Sequence, residues 1–263
     1  MRMTTLGQGL FAIAAASLAI LSLAYGDFGW GAQSVLAGVP WRQAWVYASA
    51  LMLLAAGVGL CFPRTALPGV LTIGAYQLIG AALSVPLILA KPLGVDAWYP
   101  FCEALTPLAA AWILYAALRR QSQTPALPID SAGAVRTAQV LFGLTCVFYG
   151  FSHFLYADYT AGMVPAWLPG HLGFAYFTGL GHAAAGLAII VATLPRLAAI
   201  LEATMMSLFG LLVWVPSFFA HPRPAWATQP EHQWSELVVN VVLAASAWVV
   251  ASSFVTRSTT PPR

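Results

Sequence analysis

The side chains of this sequence that could carry acid-base or ligand chemistry are few, and most fall in four stretches. His232, Glu236 and Asn240 are spaced i, i+4, i+8, which sets them on one stripe of a helix. A carboxylate near the top of an apolar helix is costly unless it faces the bundle, water or a cation. With a histidine one turn away, Glu236 is suited to exchanging protons near neutral pH. An interfacial cap is the other reading, because Ser235 and Glu236 fit a helix first turn, where acids favour the macrodipole. His153 lies in YGFSHFLYADY with Tyr149 at i−4 and Tyr156 at i+3. Its imidazole can hydrogen-bond a carbonyl or quinone oxygen between aromatic walls, and the same residues also suit an interfacial aromatic belt.

His182 sits near the middle of its apolar stretch, with Thr178 one turn above and Tyr176 nearby. A midplane ionisable residue is either functional or a neutral imidazole bonded to a neighbouring helix. Glu202 is expected near the end of its helix, paired with Arg196 or Arg136. The segment VPAWLP at 164–169 reads as a stiff apolar lid carrying Trp167. The candidate catalytic residues are therefore His153, Glu236 and His232. Tyr149, Tyr156, Trp167, Tyr176, Thr178, His182 and Asn240 are the candidate ligand-binding residues.

Metal and haem chemistry find no support in the pattern. His182 is expected at midplane and His153, His221 and His232 near the surface, so no two imidazoles are expected at one depth for a bis-histidine haem. Neither H-x-x-x-H nor H-E-x-x-H occurs. Cys61, Cys102 and Cys146 are isolated, without a C-x-x-C, and read as small packing residues rather than a thiol-disulfide relay.

The elements that must position these groups are set by composition. Of 263 residues, 60% are hydrophobic and 7% charged, with a mean hydropathy of +0.79. A soluble domain carries roughly 25% charged residues. Eleven basic and eight acidic residues also make no surface for a nucleic acid. An integral membrane protein in a lipid bilayer remains. Apolar stretches predict eight transmembrane helices, over 6–25, 43–61, 66–90, 98–118, 134–156, 172–193, 196–219 and 234–255. The first also admits a signal-peptide reading. Pro40, Pro63, Pro68, Pro92, residues 123–128, Pro165, Pro169, Pro195 and residues 222–233 punctuate them. Arg2, Arg64, Arg119, Arg120, Arg136, Arg196, Arg257 and Arg263 fall on one side, against Arg42, Lys91 and Arg223 on the other. This places both termini in the cytoplasm and most histidines and acids outside.

The chain also reads as a duplication. Residues 40–57, PWRQAWVYASALMLLAAG, align without a gap to 169–186, PGHLGFAYFTGLGHAAAG, and each is followed by Pro-Arg, at 63–64 and 195–196. VPLILAKP at 85–92 matches VPSFFAHP at 215–222, and Glu103 matches Glu236. An even number of spans per unit makes the repeats parallel. The expected architecture is all-α, two fused four-helix bundles: a first unit over 1–120, a cytoplasmic linker over 121–133 and a second unit over 134–263. Leu53 and about Val70 stand where the second unit has His182 and Glu202, so the second unit is the chemically equipped one.

Residues 150–196 resemble the DoxX/DoxD-like membrane proteins, through Gly150, His153, Phe154, Pro165, Trp167, Leu168, Pro169, Tyr176, Thr178, Gly179, Ala185, Gly186 and Arg196. The first half follows only through the repeat and lacks the histidine of the G-x-x-H-F segment. The resemblance implies a component of a quinone-linked oxidoreductase of the bacterial inner membrane, some relatives acting in thiosulfate oxidation with a separate subunit. On that reading the chain binds a small hydrophobic ligand, a quinone, near the outer leaflet, and an extracytoplasmic subunit donates electrons. A non-catalytic transporter, lipid-binding or assembly subunit, and a membrane isomerase acting on a lipid, are the competing classes.

Overall fold

The computed structural model describes residues 3–28, 36–122, 125, 127–227 and 230–254. Among them the chain forms helices and turns, with no strand. In order come α1 (Met3–Tyr25), α2 (Arg42–Gly59), α3 (Ala66–Ala90), α4 (Val95–Gln121), α5 (Ala132–Leu155), α6 (Ala157–Met163), α7 (His171–Ile190), α8 (Pro195–Ser217) and α9 (Pro230–Ser253). Nine helices among the described residues replace the expected eight. The addition is α6, a short helix formed where the apolar pattern of α5 breaks at Tyr156 and Asp158. Seven of the nine are long and apolar enough to cross a membrane. The exceptions are α6 and α2, whose first turn holds Arg42 and Gln43. The chain is an all-α, multi-pass membrane protein. Arg2, Gln123, Val255, Arg257 and Arg263, which enter the sequence reading of spans and orientation, lie outside the described residues.

Two ends of the structure can be told apart. The linker side carries the turns after α2, α4 and α7 and holds Arg64, Arg119, Arg120, Arg136 and Arg196; the α6 side carries the other turns. There Arg42 pairs with Asp27, and Lys91 Nζ lies 3.3 Å from Asp96 Oδ2.

The helix contacts trace two rings that share one edge. α1 packs on α2, α2 on α3, α3 on α4, α4 on α9 and α9 on α1; α4 packs on α5, α5 on α7, α7 on α8, α8 on α9 and α9 again on α4. This refines the expectation of two self-contained four-helix bundles, because each ring needs a helix from the other half to close. α4 and α9 form the shared edge and are the most buried of the spans. Ring one buries mainly apolar side chains, Leu53 and Val70 among them, together with Ser22, Gln77 and Ser84. Ring two, made of α4, α5, α7, α8 and α9, encloses most of the buried polar side chains discussed below.

The tightest contact in ring two is the crossing of α5 and α7 through four glycines. A Cβ on Gly150 would lie 2.6 Å from the Gly179 carbonyl, and one on Gly143 would lie 2.8 Å from the Gly186 carbonyl. Small residues let helix backbones approach closely where no hydrophobic force draws helices together. Farther along, α8 carries a π turn at Gly210–Trp214 immediately before Pro216. Proline supplies no N–H to the preceding turn, and a widened turn accommodates the freed carbonyls.

The linker is clamped to α4. Arg119 Nε donates to Asp130 Oδ2 at 2.7 Å, Leu127 N–H to Asp130 Oδ1 at 2.8 Å, and Trp112 Nε1 to the Ile129 carbonyl at 2.7 Å. Ser131 then caps α5 by accepting the Ala134 N–H at 3.1 Å.

Two predictions follow from this packing. Gly150→Val is expected to lower stability in detergent by about 1–3 kcal/mol, while Gly162→Ala, with nothing within 4 Å of its added methyl, leaves it unchanged. Equal thermal midpoints for the two variants would count against the glycine crossing. The Arg119 hydrogen bond holds the Asp130 carboxyl below the usual carboxylate range. Its stabilisation is therefore fully present above the unfolded value of about 4 and is lost as pH falls through the lower folded value. Asp130→Asn should remove that part of the acid limb from a plot of thermal midpoint against pH.

Candidate functional site

Five helices bring polar side chains into ring two. At its centre His182 Nδ1 lies 2.7 Å from Glu202 Oε1, with the two side chains 2% and 3% exposed. His182 is about 12 Å from the linker-side end of α7 and Glu202 about 11 Å from the linker-side start of α8, at 1.5 Å per residue. Glu202 is thus well inside its helix. This corrects the expected pairing with Arg196 or Arg136. Arg136 instead donates to the Ile189 carbonyl at 2.9 Å and to that of Ile190, closing the C-terminal end of α7. Cys146 lies beside Glu202 from α5. Glu202 Oε2 is buried without a hydrogen-bond partner.

One turn toward the α6 side stands His153. Its ring centroid lies 5.1 Å from that of His182, and Phe209 of α8 stacks on it at 6.0 Å. The two histidines thus stand about one turn apart in depth, yet their rings are in contact. The reason is the glycine crossing: a Cβ on Gly179 would lie 2.8 Å from His153 Cβ, so α7 passes against the base of the imidazole. His153 Nδ1 lies 3.0 Å from Thr178 Oγ1. Among the described residues no group of three or more His, Cys, Asp or Glu side chains is placed to hold a metal ion.

The wall toward α4 is a hydroxyl network. Thr106 Oγ1 lies 2.9 Å from Thr145 Oγ1 and 3.1 Å from the Tyr149 hydroxyl, and the Tyr99 hydroxyl lies 2.6 Å from Ser152 Oγ. Tyr149 also packs edge-on to His182 at 6.2 Å. Glu103 on α4 interacts electrostatically with Tyr149 and with Glu236 on α9, so the shared edge of the rings carries two carboxyl groups. On α9, His232 Nδ1 lies 3.9 Å from Glu236 Oε1, with side-chain exposures of 41% and 32%. Asn240 Nδ2 donates to the Glu236 carbonyl at 2.7 Å, while Asn240 Oδ1 is buried and unpartnered. Because α9 starts at Pro230, Glu236 falls in its second turn. That removes the reading of Ser235 and Glu236 as a helix cap.

Three candidate residues stand apart from this centre. Tyr156, Tyr176 and Trp167 are exposed on the outside of ring two, and Tyr176 stacks on Phe154 at 5.9 Å. At 70% exposure Trp167 does not close over the site. Conversely, Tyr99, Thr106, Cys146 and Phe209 belong to the cluster without having been assigned to it, and Glu103 was known only as the counterpart of Glu236. The paired spacing Gly143/Gly150 and Gly179/Gly186 is the sequence signal that could have located the crossing that gathers them.

Residues 142–251 match the model of a Domain of unknown function (DUF8561). The matched stretch contains every residue of the cluster except those on α4. No curated protein and no solved structure matches the chain.

The buried pair is open to a double-mutant cycle. His182→Phe leaves Glu202 without its hydrogen bond and Glu202→Leu does the same to His182, each at a cost of about 1–3 kcal/mol. The double variant should lose less than the sum, by about 0.5–3 kcal/mol. Strict additivity in denaturation experiments would show that the two side chains do not act as a pair.

Proposed function

We propose that the chain is the membrane component of a quinone-linked oxidoreductase of DoxX/DoxD-like type, with its site in ring two. The observation that carries this reading is the contact of His153 with the buried His182–Glu202 pair inside membrane-length helices. Such a centre can exchange protons with a hydrophobic ligand that never leaves the bilayer. Two electrons from a donor subunit and two protons convert a bound quinone to a quinol. His153, once protonated on both nitrogens, transfers a proton to the ligand oxygen and is left neutral, while Tyr149, Thr178 and His182 surround the imidazole and hold it. His232, Glu236 and Glu103 relay protons from the α6 side. The basic residues on the linker side support a cytoplasmic linker, so that the relay opens to the outer compartment of a bacterial inner membrane.

The fold is read as a duplication of a four-helix unit, and the helix contacts support it. Exchanging α1, α2, α3 and α4 with α5, α7, α8 and α9 maps the contacts of each ring onto those of the other and returns the α4–α9 edge to itself. On this reading Glu103 and Glu236 are equivalent residues facing one another across the axis. Leu53 and Val70 make the first ring its scaffold.

The expected outcome is that His153→Ala abolishes quinone reduction by membranes carrying the chain and its donor, while the purified variant keeps its helix content and thermal midpoint. Unchanged turnover would remove His153 from the mechanism and bring the transporter and isomerase readings forward.

A further inference from the structure

The hydrogen bonds of Thr178 decide which proton His153 carries, and with it the form of ligand the site prefers. Thr178 Oγ1 lies 2.9 Å from the Phe174 carbonyl and 3.1 Å from the Ala175 carbonyl, both within its own helix. A threonine hydroxyl has one proton to donate and lone pairs with which to accept. If it donates to a backbone carbonyl, it accepts from His153 Nδ1–H at 3.0 Å, and both bonds are made. If it donates to His153, the carbonyls receive nothing from it and one bond is lost. The first arrangement uses every group, so neutral His153 carries its proton on Nδ1. Nε2 then presents a lone pair. Among the described residues the imidazole's hydrogen-bond partners are Thr178 Oγ1 and the Ala175 backbone, both on α7, and Nε2 is not among the buried unpartnered atoms.

We propose that the site takes its ligand in the reduced form, a quinol or other aromatic hydroxyl whose O–H donates to His153 Nε2. This rests on the quinone-site reading above and adds the ligand's redox form to it. A quinone carbonyl offers only lone pairs, and against Nε2 two acceptors would meet with no proton between them. Phe209, stacked on the imidazole, gives the site an aromatic neighbour for the ligand ring.

The test is equilibrium binding to the purified full chain in mild detergent with three probes: decylubiquinone, decylubiquinol and the dimethyl ether of decylubiquinol. The ether keeps the reduced ring and tail but has no O–H. Decylubiquinol is expected to bind about tenfold more tightly than the other two, as for one hydrogen bond gained against an acceptor left facing a lone pair. A tenfold preference also raises the two-electron potential of the bound couple by about 30 mV. Thr178→Val, which removes the acceptor that holds the Nδ1 proton, should shrink the preference severalfold, and Thr178→Ser should restore it. Quinone binding as tight as quinol binding, or ether binding as tight as either, would overturn this inference and leave the quinone site standing. Failure of all three probes to bind would overturn both.

Discussion

Hydrocarbon offers a buried carboxyl group no water, so the position of Glu202 constrains everything around it. A polar side chain deep in a membrane-length helix persists only where another helix brings it a partner. His182 is that partner, at 2.7 Å. For the imidazole to reach Glu202 from α7 while His153 reaches the same place from α5, the two backbones must nearly touch, and Gly143, Gly150, Gly179 and Gly186 are what allow it. The chemistry of the site and the packing of the second ring are therefore one arrangement: a side chain at the crossing moves the histidines along with the helices.

The shared edge of α4 and α9 extends this logic across the molecule. Its two carboxyl groups, Glu103 and Glu236, sit where helices from both halves meet, beside the hydroxyls of Tyr99, Thr106 and Tyr149. The first ring buries Leu53 and Val70 and, of polar side chains, Ser22, Gln77 and Ser84, with no buried carboxyl or imidazole on α1, α2 or α3 among the described residues. Three buried side-chain atoms among the described residues have no hydrogen-bond partner: Ser22 Oγ on α1, Glu202 Oε2 on α8 and Asn240 Oδ1 on the shared α9. Unpartnered buried atoms are costly to a fold.

Much of this was legible in the residues and some of it was not, for definite reasons. Span positions follow from apolar runs and proline breaks, because lipid imposes length and composition directly. The stripe of His232, Glu236 and Asn240 was readable because its three members lie on one helix and obey its period. The partnership of Glu202 with His182 was not, because it depends on how two helices are juxtaposed; nearby arginines in the chain suggested a different partner. Counting depth along a single helix also hid the contact of His153 with His182, since the α5–α7 crossing brings the two rings together. Trp167 shows the opposite failure: its rigid proline-flanked loop looked like a lid, yet the indole faces outward.

The central claim is that the second ring holds a hydrophobic redox carrier at His153. The most direct measurement is to purify the protein from native membranes in mild detergent, extract what accompanies it and identify the extract by mass spectrometry, for the wild type and for His153→Ala. A quinone or quinol in stoichiometric amount with the wild type, and lost from the variant, is the predicted result. Phospholipid alone with both proteins would contradict it.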